Sequence, residues 1–156
     1  MTQREFPTHP MIGVGAVILD GDGRVLLIKR ATEPMKGYWS LPGGLLELGE
    51  TLIEGVKREI REETGLIVTP RAIVEVVDRI YRSSDENRSP VQYHYVVVDY
   101  WCQVAGGELQ SASDASEVAW LSRDEWKDKN LHSLESITVQ VIEKGWQMAL
   151  EAGNHA

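Results

Sequence analysis

The residues able to do chemistry are concentrated in one stretch, Gly43 to Leu66, which reads GGLLELGETLIEGVKREIREETGL. A glycine-rich turn leads into an acidic segment, and Gly65 follows that segment. Because glycine after a periodic run commonly ends a helix, the pattern predicts a helix from Thr51 to Thr64. On a wheel of about 100° per residue, one apolar stripe contains Leu52, Ile53, Val56 and Ile60.

Three glutamates, Glu59, Glu62 and Glu63, converge at the edge of this stripe. Carboxylates spaced three and four residues apart repel one another, and partial desolvation increases the conflict. A hard divalent cation would remove it, because carboxylate oxygens suit Mg²⁺, Mn²⁺ or Ca²⁺. The alternative interpretation is a solvated acidic helix face, which is common. On the opposite arc, Glu54 and Arg58 have the spacing of a solvent-exposed i,i+4 ion pair.

The complete pattern resembles the Nudix box at nine specified positions, without departure. A match of this length at fixed spacing is far more specific than a short glycine motif. The preceding Trp39-Ser40-Leu41-Pro42-Gly43 also resembles the lead-in that is usual in this family. The matching positions are Gly44, Glu50, Arg58-Glu59-Ile60, Glu62-Glu63 and Gly65-Leu66.

The resemblance implies a fold and a metal site. The implied fold is α/β, an α/β/α sandwich with a mixed β-sheet between helices. The implied cofactor is Mg²⁺ or Mn²⁺, and Arg58 resembles the arginine that orients a carboxylate, either Glu50 or Glu54. The implied metal ligands are the carboxylates of Glu59, Glu62 and Glu63 and the carbonyl of Gly43.

The resemblance leaves the base that activates water open, because relatives place it differently. It implies either one of the helix glutamates or an acid from outside the box. Glu117, before a short apolar strand, is the first outside candidate, and Asp114 is the second. The implied catalytic set is therefore Arg58, Glu59, Glu62 and Glu117.

The implied reaction is metal-dependent hydrolysis of a pyrophosphate bond in a nucleoside diphosphate linked to another moiety. ADP-ribose is the favoured substrate. However, Tyr81 stands where many ADP-ribose hydrolases have proline, and tyrosine there resembles dinucleoside polyphosphate hydrolases. Nucleoside triphosphates are a third possibility, and a Nudix-fold sensor without hydrolysis is an alternative of another class. Trp39, Tyr81 and Tyr93 could stack on a base, although packing in the core is their default interpretation.

Length and charge exclude several other classes of protein. The chain of 156 residues predicts one domain over residues 11–156, preceded by a flexible arm over residues 1–10. A net charge of -8 argues against nucleic-acid or membrane partners, so a small nucleotide is the expected partner. The single cysteine, Cys102, is expected in the core and fits a cytoplasmic location. Family members of this size often dimerise, so a homodimer is possible.

The elements that must position the acidic helix follow from local patterns. Residues 11–30 read as a hairpin around Asp20-Gly21-Asp22-Gly23, and Gly13 and Gly15 suggest close backbone approach or a bulge. The polar loop over residues 82–90 is expected to face the substrate. Other expected elements are strands over residues 66–68 and 73–78 interrupted near Pro70, a strand over 91–104, a turn at Gly106-Gly107, a loop over 111–116, a strand over 117–121, a helix start capped by Ser122 and Glu125, and a helix over 134–150 weakened by Gly145.

Overall fold

The computed structural model describes residues 3–110 and 115–154. Its strands and helices alternate along the chain in the way that an α/β protein requires. In chain order they are β1 (Met11–Ile18), β2 (Val25–Arg30), β3 (Trp39–Ser40), β4 (Gly43–Leu45), α1 (Leu52–Thr64), β5 (Leu66–Arg82), β6 (Val91–Gly107), β7 (Ala115–Leu121), α2 (Arg123–Lys127) and α3 (Ser136–Asn154).

The strands form two sheets. The larger sheet is mixed, with the order β4-β1-β6-β5, and only β1 and β6 run parallel in it. The smaller sheet is antiparallel, with the order β3-β2-β7. Strand β1 is central: the glycines of β4 lie along one edge of it, and the strongly apolar strand β6 lies along the other.

The predicted hairpin over residues 11–30 is wrong. The turn at residues 20–23 exists, and the Asp20 carboxylate accepts the N–H groups of Asp22 and Arg24 at 2.9 and 2.8 Å. Only one isolated bridge, Leu19 to Val25, joins the two arms, and the strands then enter different sheets. Both strands are nearly continuous apolar runs buried on both faces, which is typical of central strands rather than of a half-exposed hairpin.

Helices cover both faces of this assembly, as an α/β/α sandwich requires. Along β1, Ala16 and Ile18 belong to one buried cluster with Val56 and Ile60 of α1. Val17, between them, faces a second cluster that includes residues of β2, α2 and α3. The alternation of side chains along a strand therefore divides β1 between two cores. The expected fold class is confirmed.

The long strands β5 and β6 differ from their predicted forms. Strand β5 is continuous across Pro70, and the proline produces a register shift against β6 instead of an interruption. The predicted turn at Gly106-Gly107 is also wrong, because both residues pair with Leu66 and Ile67 at the end of the ladder. Cys102 is buried in β6 as expected, and burial raises the pKa of its thiol to about 12.

Helix α1 has the predicted ends. Thr51 and Glu54 form a reciprocal capping box at its start, and Gly65 closes it in the left-handed conformation. Ser122 and Glu125 form the predicted capping box of α2. One residue of the predicted apolar stripe of α1 is exposed instead: Ile53 lies in the first turn of the helix, before Gly55, where the buried residues begin.

Outside the regular elements, residues 83–90 connect β5 to β6 as the predicted polar loop. The N-terminal arm contacts the body of the protein, because the N–H of Phe6 donates to the carbonyl of Gln92 at 2.8 Å. Among the described residues, none of the helices combines the length and the apolar composition that a membrane crossing requires.

Gly145 sets the distance between α3 and β1, which gives a test of the packing. A Cβ at this position would lie 2.9 Å from three carbons of Val17, so Gly145→Ala overpacks the second core. We expect a loss of about 1–3 kcal/mol of unfolding free energy, larger than the gain of about 1 kcal/mol from helix propensity. Gly153→Ala, in the same helix with open space around it, is the matched control. Urea denaturation of the three proteins measures this, and equal stabilities of the two variants would contradict it.

Candidate active site

A cleft of about 360 Å³ joins the acidic helix to the middle of the mixed sheet. One end is formed by α1 and by the glycines of β4, and the floor by β6. Residues at positions 32, 34 and 35 line the side, whereas none of the described residues of the loop 83–90 does. The lining of this cleft therefore gives no support to the prediction that the loop faces the substrate.

The guanidinium of Arg58 organises the acidic end. Its Nε and Nη2 donate to the two carboxylate oxygens of Glu50 at 2.5 and 2.9 Å, and Nη2 also donates to the carbonyl of Leu45 at 3.0 Å. Its Nη1 donates to Glu59 at 2.8 Å and to Glu62 at 3.1 Å. The hydrogen bonds from Arg58 lower the pKa of Glu50 to about 2, and those to Glu50 and Glu59 raise the pKa of Arg58.

Of the two predicted partners of Arg58, the structure selects Glu50. The Glu54 carboxylate instead accepts the N–H of Thr51 at 3.3 Å in the capping box, so the predicted Glu54–Arg58 ion pair is wrong. A bidentate contact to a planar carboxylate fixes a guanidinium more firmly than a solvated i,i+4 pair does. Arg58 is thereby turned toward the cleft.

Glu59 reaches the cleft across β4 because residue 44 is glycine. A Cβ on Gly44 would overlap the carboxylate of Glu59. This carboxylate is mostly buried, and desolvation raises its pKa, with the charge of Glu62 adding to the effect and Arg58 opposing it. The position therefore holds a carboxylate that is costly to ionise without a positive neighbour.

Glu63 is buried at the foot of the same helix face, with 8% of its surface exposed. Its carboxylate accepts the N–H of Gly43 at 2.9 Å, which ties α1 to β4. Gly43 must itself be glycine, because a Cβ there would overlap the carbonyl of Val14 in β1. Glu62 is the exposed member of the trio, with 61% of its side chain accessible.

The chemistry of this donor set fits a hard divalent cation. Glu59, Glu62 and Glu63 carry carboxylate oxygens, the donors that such a cation prefers, and the two glycines of β4 leave room beside them. In their present rotamers these carboxylates are engaged by Arg58 and by the N–H of Gly43. Within residues 3–110 and 115–154, no group of three or more His, Cys, Asp or Glu side chains is already arranged to hold a metal ion.

The structure does not bring Glu117 to this end of the cleft. Glu117 lies on β7 of the smaller sheet, opposite Lys29 of β2, and their charged atoms are 3.6 Å apart. Its side chain is 60% exposed, and it is not among the described residues that line the cleft. The other outside candidate, Asp114, and most of the predicted loop over residues 111–116 lie outside the described residues.

Asp99 is a cleft residue that sequence reasoning missed. It lies on the floor in β6, is 2% exposed, and its Oδ2 has no hydrogen-bond partner among the described residues. Burial raises its pKa to about 6, with Arg79 opposing the shift and Glu75 adding to it. The available signal was one acid within the apolar run VVVDYW, together with Gly15 on the adjacent strand.

Aromatic and charged residues form the far end of the cleft. The Tyr81 hydroxyl donates to Glu135 at 2.8 Å, and Arg79 donates to the same carboxylate at 3.2 Å. Tyr95 lines the cleft, whereas Tyr93 is buried and is not among the described lining residues; the two stacked rings lie 6.4 Å apart. Trp39 packs against the second core and makes an edge contact with His132, in accordance with its default interpretation.

The fold is α/β, with a mixed sheet between helices. A glycine turn and a cluster of helical glutamates meet at one cleft, which is a candidate site for phosphoryl chemistry. Comparison with known families agrees, since the NUDIX domain model matches residues 9–141. The chain belongs to the Nudix hydrolase family.

Relatives and solved structures support the same assignment. The chain is 43% identical to the ADP-ribose pyrophosphatase of Methanocaldococcus jannaschii over 110 residues, which span 70% of this chain and 60% of that protein. It is 34% identical to a MutT-like protein of Streptomyces ambofaciens, over 83% of this chain and 77% of that one. The crystal structure of a MutT NUDIX hydrolase from Burkholderia pseudomallei has a TM-score of 0.71 and 31% identity, covering 87% of this chain and 98% of that one.

The raised pKa of Asp99 predicts an unusual dependence of stability on pH. Between about pH 4 and pH 6 the folded protein binds more protons at Asp99 than the unfolded chain, so this residue's contribution to stability falls as pH rises. Asp99→Asn removes the cost of ionisation. We expect the variant to gain up to about 3 kcal/mol relative to wild type between pH 4 and pH 7.5.

Differential denaturation at several pH values measures this gain. Glu143→Gln is the matched control, because the hydrogen bonds from Lys127 and Arg123 outweigh desolvation and lower the pKa of Glu143, so that its charge stabilises the fold. Its stability relative to wild type should therefore fall as pH rises from acid to neutral. A difference between Asp99→Asn and wild type that does not change with pH would contradict the assignment.

Proposed function

We propose that this protein hydrolyses a pyrophosphate bond in a nucleoside diphosphate linked to another moiety, with Mg²⁺ or Mn²⁺ as cofactor. One observation carries the proposal: Arg58 holds Glu50, Glu59 and Glu62 together, and Glu59 and Glu62 line the cleft beside Glu63. A ligand sensor would not need this complete acid set, so we favour an enzyme over a Nudix-fold binding module.

The proposed metal ligands are Glu59, Glu62, Glu63 and the carbonyl of Gly43. A bound divalent cation would neutralise phosphate oxygens and lower the pKa of a bound water. The protein's own contribution is positioning: Arg58 fixes the carboxylate of Glu59, and the Gly43 N–H fixes that of Glu63. Held side chains keep the cost of reorganisation low when charge develops on the substrate.

ADP-ribose is the substrate that we place first. The relative named ADP-ribose pyrophosphatase supports this choice at 43% identity, over 60% of its own length. Nucleoside triphosphates and dinucleoside polyphosphates come second, because two MutT-type proteins are also similar and Tyr81 lines the cleft. The four substrate classes are ranked by measuring kcat/KM for ADP-ribose, diadenosine polyphosphates, sugar nucleotides and nucleoside triphosphates. Release of AMP from ADP-ribose in the presence of Mg²⁺, but not in its absence, would support ADP-ribose as the substrate.

We place the protein in the cytoplasm as a single domain, with a small nucleotide as its partner and with no nucleic acid or membrane partner. Its net charge of -8 supports the exclusion of nucleic acid. We also propose a homodimer, because family members of this size often form one. We propose that residues 1–10 form a loose arm, which attaches to the body of the protein at Phe6.

Replacing the proposed metal ligands should separate activity from stability. We expect Glu59→Gln and Glu63→Gln to lower kcat by two or more orders of magnitude, since each removes a charged oxygen ligand. The melting temperature should stay unchanged or rise, because an amide relieves the cost of the partly desolvated carboxylates. Glu54→Gln is the control in the same helix, because glutamine also suits the capping box. Near-wild-type rates of the two variants at saturating Mg²⁺ would refute the ligand assignment.

A second substitution addresses the base. The exposure of Glu117 and its place beside Lys29 favour one of the helix glutamates over Glu117. We therefore expect Glu117→Gln to change kcat less than about tenfold, whereas loss of a general base costs roughly 10²–10⁴-fold. Steady-state kinetics across pH 6 to 9 with ADP-ribose measures it. A fall of more than a hundredfold would assign the base to Glu117.

A further inference from the structure

The N-terminal arm brings a charged residue to the cleft. Arg4 precedes strand β1, is exposed, and is among the residues that line the cleft. The arm is tied to the start of β6, because the N–H of Phe6 donates to the carbonyl of Gln92 and the amide of Gln92 donates to Glu5, both at 2.8 Å. Such contacts fix a chain end that would otherwise be poorly ordered. Arg4 therefore has a defined place beside the cleft.

The backbone of the arm is strained where it is tied down. Phe6 has a φ of 50°, in the left-handed region, which bulky residues seldom adopt because their Cβ crowds the backbone. A conformation of this kind costs free energy, persists only where the surroundings hold it, and is concentrated at binding sites and active sites. The bend beside the cleft therefore indicates a function for the residues that it positions.

Arg4 differs from the other arginines of the cleft because its donors are unused. Arg58 and Arg79 are engaged by glutamates. Arg30 donates through Nε to the carbonyl of Pro34 at 2.6 Å. Within the described part of the chain, the guanidinium of Arg4 has neither a hydrogen bond nor an ion pair. A guanidinium presents its N–H groups in a planar fork that matches the oxygens of a phosphate group.

The charge of Arg4 reaches both the acidic end and the floor of the cleft. It acts on the carboxylate of Glu59 in α1 and on the hydroxyl of Tyr95 in β6. Arg30 acts on Tyr95 as well. Since the interaction between two charges declines with distance, a ligand that extends from α1 over β6 passes through the field of Arg4.

The charge balance of the acidic end explains why a further cation is needed there. The three glutamates of the proposed metal site carry more negative charge than one divalent cation neutralises. Arg58 changes this balance little, because Glu50 takes up its charge in a bidentate contact. A diphosphate placed beside the cation would still be repelled by the remaining negative charge. An arginine whose donors are unused can offset this repulsion, and Arg4 is such a residue.

We propose that Arg4 is a substrate-binding residue, which donates to an oxygen of the substrate's diphosphate and supplies positive charge that one metal ion leaves missing. This inference rests on the proposed function, because it takes the substrate to contain a diphosphate at the α1 end of the cleft. Arg30 adds a second positive charge to the same cleft. The N-terminal arm is then a part of the substrate site.

Binding of ligands that differ in their phosphate groups tests this proposal. The probes are adenosine, AMP and α,β-methylene-ADP, whose methylene bridge replaces the hydrolysable oxygen, and each is titrated by calorimetry in the presence of Mg²⁺. We expect Arg4→Gln to weaken binding of α,β-methylene-ADP by about fivefold to fiftyfold, as for an exposed but charge-assisted hydrogen bond. Adenosine, which has no phosphate group, should show no difference between the two proteins. An additional loss with AMP assigns the contact to the α-phosphate, and a loss confined to α,β-methylene-ADP assigns it to the β-phosphate.

A contact through charge has two signatures that a merely structural role of Arg4 does not produce. Arg4→Lys keeps the positive charge and should recover part of the affinity. Raising NaCl from about 50 to about 300 mM should weaken binding to wild type more than to Arg4→Gln, because salt screens exposed charges. Arg71→Gln is the matched control, since Arg71 is an exposed arginine of β5 that is not among the described residues lining the cleft. It should bind α,β-methylene-ADP as wild type does.

Equal affinities of wild type and Arg4→Gln for α,β-methylene-ADP would overturn the inference. An equal loss in Arg71→Gln, or no binding of this ligand by wild type, would overturn it too. Hydrolysis of ADP-ribose by wild type is measured in parallel. Turnover together with equal affinities rejects this inference and keeps the proposed function. A phosphate-dependent loss in Arg4→Gln without turnover by wild type keeps the inference and rejects hydrolysis.

Discussion

The contact of one guanidinium with several carboxylates is the interaction on which the site depends. Arg58 binds Glu50 in bidentate fashion and uses its remaining donors for Leu45, Glu59 and Glu62. These three acids, which lie within one short segment, would repel one another without Arg58. Because Arg58 and Glu59 lie on α1 whereas Leu45 ends β4, the same cation also joins the helix to the strand. The same contacts of Arg58 therefore neutralise the glutamates and hold α1 against β4.

Close approach of backbones is the second condition for the site. Gly43 lets β4 lie against β1, Gly44 admits the carboxylate of Glu59, and Gly15 admits that of Asp99. None of these glycines has a positive φ, so conformational freedom does not explain them. Their missing side chains provide the space in which charged groups reach the cleft.

Local sequence patterns predicted the acidic end of the site well. The features that depend on packing between distant segments could not be predicted in this way. The ends of α1 and the capping boxes follow from residues within a few positions of one another, and they were found. The partner of Arg58 was ambiguous because Glu50 and Glu54 both lie within its reach, and only the capping box of Glu54 decides between them. The prediction of a hairpin over residues 11–30 was wrong because a turn in the sequence does not show whether the two strands beside it join the same sheet. Asp99 was missed because its partner strands are distant in sequence.

The parallel pairing of β1 with β6 has a consequence for how the molecule is assembled in time. It joins residues 11–18 to residues 95–102, so most of the chain must be synthesised and brought together before this ladder can close. The acidic turn and helix need only residues 43–66. We therefore expect the charged end, whose contacts are close in sequence, to acquire structure before the floor of the cleft during refolding. On this expectation the complete site forms late, even though its most recognisable segment is a local one.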